Sequence, residues 1–169
     1  MVQKRIYSRY KRMINALILI MSWLLSICLL WLFIPRKQLR YYVITFLFSS
    51  TVAWAFEYIQ VSFGLIEFPY REFEKASKMS FSLHYAIYPT FCVFYILYFP
   101  VSQGKMKKLL HTCLFNLLLA LYTFLLNKYS SLIEFKHWNF FYSIGINFIL
   151  LYSIKRFAFW FKKGLNEEA

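Results

Sequence analysis

Hydrophobic and polar positions in this chain are arranged in long blocks. Five apolar blocks are separated by short segments rich in Lys, Arg, Glu and Pro. About 20 apolar residues span the ~30 Å hydrocarbon core of a bilayer at ~1.5 Å per residue. The alternation typical of membrane β-strands is absent. We therefore predict an all-α transmembrane helical bundle, a single membrane domain with five spans at residues 13–34, 41–62, 81–99, 109–126 and 138–154.

The segment between the second and third spans predicts a short interfacial helix over residues 68–79. Oppositely charged residues three or four positions apart support a helix modestly. Two such pairs occur here, Glu72 with Lys75 and Glu74 with Lys78. Within the third span, Pro89 predicts a kink, because proline cannot donate a backbone hydrogen bond.

Composition agrees with a membrane protein. The chain is 60% hydrophobic and 16% charged, whereas a soluble domain carries about 25% charged residues. The net charge of +13 comes from Lys and Arg in loops and ends, where they flank membrane helices and contact lipid headgroups. We expect membrane lipids as partners and no nucleic acid. Its three cysteines lie in apolar spans with no CxxC motif, so we expect buried, inert thiols and neither a metal nor a cofactor.

The predicted location is the cell membrane, with the C-terminus inside. The first apolar block lacks a small-residue cleavage site, so it is expected to be retained as a helix. Lys and Arg number ten on each side of the predicted bundle. The acid-free loops 35–40 and 101–108 and the basic, aromatic tail at 155–163 are typical of cytoplasmic segments. The basic N-terminus favours the opposite orientation.

Acidic residues gather at one end of the predicted bundle. The chain has no Asp, and five of its seven Glu residues map to that end, with two of the three histidines. The candidate polar or ion site therefore comprises Glu57, Glu67, His84, Glu134 and His137.

Within this set, Glu57 and His84 lie inside spans, at similar depth in neighbouring antiparallel helices. An ionisable residue inside a span is costly and often functional. One interpretation is a structural pair that joins two helices. The alternative is a pair that titrates protons or binds a cation.

Polar and small residues recur at helical spacing in the last two spans. These stripes comprise Thr112, Asn116 and Thr123 in the fourth span and Asn139, Ser143 and Asn147 in the fifth. Such residues commonly pack transmembrane helices against each other. A polar conduction path is the other hypothesis.

Several short motifs resemble those of a family of small multipass membrane proteins from spore-forming Gram-positive bacteria. They are the runs 64–71 and 80–82, Tyr88-Pro89, Tyr98-Phe99-Pro100, and Lys136-His137-Trp138-Asn139. The resemblance covers residues from about 34 to 161. It implies a bacterial plasma membrane and a multipass bundle, and it supplies no activity and no catalytic residues.

No catalytic motif is present in the sequence, so we do not expect an enzyme. The first functional hypothesis is a non-enzymatic accessory or interaction module that associates with itself or another membrane protein through the stripes. A second is a small transporter or channel-like protein that uses Glu57 and His84. The third is a lipid-modifying enzyme, for which Glu57, His84 and Glu134 would be the acid–base candidates.

Overall fold

The computed structural model describes residues 2–167, with side chains from 12 to 165. Five helices follow one another along the chain, and two short strands, β1 and β2, form the one sheet in these residues. The helices are α1 (Val2–Phe33), α2 (Leu39–Ser62), α3 (residues 81–97), α4 (Lys105–Tyr129) and α5 (Phe140–Glu167). The strands are β1 (Ile66–Glu67) and β2 (Glu134–Phe135).

The all-helical prediction is confirmed, and four helices are long and apolar enough to cross a membrane. They are α1, α2, α4 and α5. The apolar part of α3, Leu83–Leu97, is shorter, and at ~1.5 Å per residue its 15 residues extend only about 22 Å. A bilayer core is ~30 Å thick. The third predicted span is therefore a helix, but one shorter than an ordinary membrane crossing.

Helix α3 lies at the centre of the bundle, in contact with α2, α4 and α5 along its α-helical part and with α1 near its start. Most of its side chains are buried; Leu83, Val93 and Tyr95 are fully so. The longer helices instead carry many exposed apolar residues, such as Leu24 and Leu117. The short helix is thus covered by protein, while the long helices present their apolar surfaces outward.

The start of α3 is wound as a π-helix over Leu83–Ile87, and the α-helical part begins at Tyr88. Pro89 follows directly, and it has no backbone N–H with which to continue the hydrogen-bond ladder. The wider π turn accommodates this interruption. The sequence predicted a kink at Pro89, and the structure has a change of helix type just before it.

The predicted interfacial helix at 68–79 is wrong. This segment consists of turns and bends, with Ala76 N and Ser77 N both donating to Phe73 O. Neither expected Glu–Lys pair forms an ion pair among the described side chains. The carboxylate of Glu72 instead accepts hydrogen bonds from the start of α3, and Tyr70 N donates to Ser131 O. These hydrogen bonds to other parts of the chain outweigh the weak stabilisation that Glu–Lys pairs would give a local helix.

Not all the cysteines are buried as expected. Cys92 is buried, but Cys28 and Cys113 lie on the outer surface of the bundle. All three are free thiols. An apolar span has an outer and an inner face, and a single cysteine can occupy either.

The sheet marks one end of the bundle, called here the acidic end. Gly64, with φ of 64°, turns the chain out of α2 towards β1. The two strands are antiparallel, with Ile66 opposite Phe135 and Glu67 opposite Glu134. Ser131 N also donates to Asn15 Oδ1 of α1, at 3.4 Å, so α1 begins at this end.

Candidate functional site

Glu57 and His84 form a buried pair just inside the acidic end. Glu57 comes from α2 and His84 from the π-helical start of α3, and their Oε2 and Nδ1 atoms are 2.9 Å apart. Each residue is only 3% exposed. The two residues, which the sequence predicts to lie at similar depth, are in direct contact. At this depth the carboxylate and the imidazole stabilise each other, because a buried charge without a partner is costly.

The position of His84 depends on a capping interaction from the connecting segment. Glu72 Oε2 accepts a hydrogen bond from Phe81 N at 3.1 Å, and Glu72 Oε1 accepts one from Ser82 N at 3.0 Å. A helix leaves its first N–H groups unpaired, and a negative charge there is favourable. One carboxylate therefore fixes the turn that precedes His84.

Aromatic rings surround the histidine. Tyr85 and Phe81 have ring centroids 4.5 and 6.3 Å from that of His84. Trp23 of α1 stacks on Phe81 and donates its Nε1–H to Ser82 Oγ at 2.8 Å. The apolar enclosure limits access of water to the imidazole.

A cavity of about 60 Å³ lies beside Glu57, between α2, α3, α4 and α5. Its walls are largely apolar, with polar groups contributed by Ser49, Glu57, Gln60, Tyr88, Thr123, Trp138, Ser143 and Asn147. Two of these groups are incompletely paired. Among the described residues, Glu57 Oε1 and Asn147 Nδ2 have no hydrogen-bond partner, although both atoms are buried. Buried polar atoms are normally paired, yet one acceptor and one donor without a partner among the described residues belong to the wall of this cavity.

The helical stripes converge on the bundle interior. Thr123, Ser143 and Asn147 line the cavity. Asn116 Nδ2 donates to Ile144 O at 2.9 Å and so joins α4 to α5. The stripes of α4 and α5 therefore contribute both to helix packing and to the lining of the cavity.

The remaining two stripe residues lie elsewhere. Thr112 is near the start of α4, away from the acidic end, with its Oγ1 3.1 Å from Tyr95 OH. Asn139 caps the start of α5, where its Oδ1 accepts a hydrogen bond from Tyr142 N. Neither lines the cavity.

The other predicted site residues form a separate group on the surface. Lys136 Nζ lies 2.7 Å from Glu134 Oε1 and 3.4 Å from Glu67 Oε2. The hydrogen bond to Glu134 raises the pKa of Lys136, and the charge of Glu67 adds to the effect. His137 is exposed, and its backbone N donates to Leu65 O. The structure thus separates the five predicted residues into a buried pair and this exposed group.

Because Glu134 lies on the surface with Lys136, it does not join Glu57 and His84 in a single acid–base set. Residues 12–165 also contain no group of three His, Cys, Asp or Glu side chains suited to hold a metal ion. The residues named for a lipid-modifying enzyme are therefore not assembled at one point.

Sequence reasoning did not assign Gln60, Tyr88 or Glu72 to the candidate site. Gln60 and Tyr88 line the cavity, and each follows a recognised residue at helical spacing: Gln60 is three after Glu57, and Tyr88 four after His84. Residues three or four apart share a helical face, so this signal was present. The role of Glu72 has no local signal, because it depends on how the connecting segment folds back.

Comparison of the chain with protein-family models, curated proteins and solved structures gives no match.

Proposed function

We propose that this chain is a multi-pass plasma-membrane protein that binds a small polar solute inside its bundle, as a small transporter or channel-like protein does. Glu57 and His84 are the binding pair. The observation that carries the proposal is the cavity beside Glu57, whose lining includes a carboxylate oxygen of Glu57 and the amide nitrogen of Asn147, both without a hydrogen-bond partner in the described part of the chain. An ionisable residue kept inside a membrane bundle is costly, and beside open space it is a functional candidate.

We favour solute binding over the interaction module because the stripes are used within the chain. Asn116, Thr123 and Ser143 are each 8% exposed or less. A partner helix has no access to side chains that already pack α4 against α5. The same residues are well placed to line a polar path.

In this proposal α3 is the fifth crossing. Helices α2 and α4 both end near the acidic end, so the chain must return to the opposite end through α3. The surrounding helices bury it, and a helix covered by protein need not match the full bilayer thickness. The bacterial plasma membrane is also part of the proposal, and it rests on the family resemblance.

The proposed orientation has the C-terminus inside. Among residues 12–165, the end opposite the sheet carries Lys and Arg and no acid, which is typical of a cytoplasmic face. Cysteine substitutions at Ser102 and Ser131 test this. We expect an impermeant thiol reagent added outside whole cells to label position 131 and spare position 102, once Cys28 and Cys113 are replaced. Labelling of position 102 alone means that the C-terminus lies outside and contradicts the proposed orientation.

Flux measurements in reconstituted vesicles test the function. Vesicles that contain the full chain should take up small solutes from a panel of monovalent cations and neutral compounds faster than empty vesicles do. Glu57→Gln should abolish the difference, since it removes the charge at the cavity. Glu74→Gln removes the same charge from an exposed position and should retain uptake. Uptake equal to that of empty vesicles for every solute contradicts the proposal.

A non-enzymatic interaction module is the second candidate, with the acidic end as its docking surface. The favouring observation is the adjacent side chains of Glu67 and Glu134, which are 60% and 49% exposed. A photo-crosslinker at Glu74 should then trap a protein, either another membrane protein or a second copy of this chain. Crosslinks to lipid alone contradict this candidate.

A further inference from the structure

The unpaired carboxylate oxygen of Glu57 indicates what the cavity binds. His84 contacts Oε2, while Oε1 has no partner among the described residues and is buried. A carboxylate in an apolar interior gains strongly from a second positive or hydrogen-bonding group. Oε1 belongs to a residue that lines the cavity, so the space beside it is where such a group would bind.

The charge of the lining specifies the sign of the ligand. Glu57 is the one acidic side chain among the lining residues, and none of them is Lys or Arg. His84 can neutralise Glu57 only when the imidazole is protonated. With the carboxyl ionised and the imidazole neutral, the pair carries one negative charge next to the cavity. In this state a cation is favoured over an anion.

We propose that the cavity holds one monovalent inorganic cation, an alkali-metal ion or ammonium, bound by Glu57 Oε1. This inference rests on the proposed solute-binding function and names its substrate class. Neutral oxygens complete the site. The Asn147 amide can present Oδ1 after rotation of its terminal torsion, and Thr123 and Tyr88 also line the cavity and carry hydroxyl oxygens.

Aromatic walls add to the attraction. Phe56, Phe135 and Trp138 line the cavity together with Tyr88. The face of an aromatic ring attracts cations, and the effect is larger where water is excluded. These rings also leave few oxygens available, which suits an ion that keeps part of its hydration shell.

The number of ligands favours a single positive charge. Calcium sites use several carboxylates and six to eight oxygens, and magnesium demands near-ideal octahedral geometry. This cavity has one carboxylate. Its volume of about 60 Å³ exceeds the ~10–15 Å³ that one water molecule needs in a cavity, so a small ion and at least one water fit. Residues 12–165 contain no group of three His, Cys, Asp or Glu side chains for a transition metal.

Thermal unfolding of the purified full chain in detergent tests the inference. The melting temperature is measured in sodium, potassium and ammonium chloride, against N-methylglucamine chloride at equal ionic strength. A cation that binds the folded state alone stabilises it by RT ln(1 + c/Kd) at a cation concentration c, so the melting temperature rises with the logarithm of c once c exceeds Kd. We expect a rise of several degrees with at least one ion, and comparison among the three at equal concentration identifies the preferred one.

Variants separate the site from the surface acids. Glu57→Gln should abolish the cation-dependent rise, and Asn147→Leu should require at least tenfold more cation for the same rise. Glu74→Gln, which removes an exposed charge, should retain the full rise. Because Glu57→Gln can fail to fold, sodium NMR linewidths with wild-type and Asn147→Leu protein provide a second measurement. The wild type should broaden the sodium signal, and an excess of the preferred ion should reverse the broadening.

Two outcomes overturn the inference. One is a melting temperature and linewidth that do not respond to any of the three ions. The other is an equal response in Glu57→Gln and wild type, which assigns the effect to surface acids. If either occurs while the vesicles still show Glu57-dependent uptake of a neutral solute, the proposed function stands and only its substrate class is wrong. If uptake is absent as well, both are wrong.

Discussion

Two groups of ionisable side chains lie at the same end of the bundle and differ in their surroundings. The pair of Glu57 and His84 is 3% exposed at each residue. The group of Glu67, Lys136 and Glu134 has side chains 38–60% exposed. Both have charged or hydrogen-bonded contacts shorter than 3 Å. Burial, and not contact distance, therefore decides which group controls stability and which one can be altered freely.

The largest expected effect comes from removal of one partner of the buried pair. His84→Leu keeps a similar volume but leaves the Glu57 carboxylate without its imidazole. Breaking a buried pair in this way costs about 3–5 kcal/mol. We expect that loss in the free energy of unfolding, measured by denaturant titration in mixed micelles.

Glu134→Gln is the matched control for this variant, because it weakens a contact of similar length on the surface. A double variant, Glu57→Gln with His84→Leu, should recover part of the lost stability, since neither charge then remains buried. If His84→Leu is no more destabilising than Glu134→Gln, the contrast between the two groups is wrong.

An intermediate effect is expected at Glu72, which is half-buried and links the surface segment to the pair. Glu72→Ala removes the acceptor for Phe81 N and Ser82 N. Loss of a helix cap costs about 1–2 kcal/mol. Hydrogen exchange should accelerate at those two amides and at the π-helical turn of His84. Glu74→Ala, two residues away and exposed, should leave exchange at these positions unchanged.

The buried pair could be anticipated from the sequence because helices have a fixed rise per residue. Glu57 lies five residues before the end of its apolar block, and His84 three residues after the start of the next. Successive membrane-spanning segments of one chain run in opposite directions, so these counts convert into depth. The same reasoning predicted that Glu67 and Glu134 lie at one end of the bundle. In the structure they lie opposite each other in the β1–β2 sheet.

Helix ends were less predictable, because an apolar block marks the membrane-embedded part and not the whole helix. The fifth block stops at residue 154, whereas α5 continues to Glu167. Lys155, Arg156 and Lys162 end the hydrophobic pattern but are good helix formers. Likewise, α4 begins at Lys105, four residues before the predicted span.

The cavity could not be predicted from the sequence. A stripe of small and polar residues has the same spacing whether it packs against a helix or faces open space. Asn116 and Asn147 illustrate this: the first bonds a backbone carbonyl of α5, and the second has an amide nitrogen without a partner among the described residues. The difference arises from the separation of helices, which no local pattern specifies.

A smaller effect is expected from Asn116→Leu, which tests a buried contact without charge. Its amide donates to Ile144 O between α4 and α5. Hydrogen bonds between membrane helices average about 0.6 kcal/mol and reach about 1.7 kcal/mol. We expect a loss in that range by the same denaturant titration. A loss as large as that of His84→Leu indicates that burial alone sets the cost, irrespective of charge.

The smallest effect is expected from Glu134→Gln, which completes the comparison from the exposed side. The hydrogen bond and charge of Glu134 raise the pKa of Lys136. The neutral amide removes most of this attraction, so the pKa of Lys136 should fall towards its ordinary value. NMR titration of the isotope-labelled lysine side chain measures the change, with the wild type as reference.

Because both side chains remain in contact with water, the screened interaction between Glu134 and Lys136 contributes little to folding, and the melting temperature should not change measurably. A clear drop in melting temperature, with no change in the pKa of Lys136, means that Glu134 acts through the pairing of β1 with β2 and not through its charge.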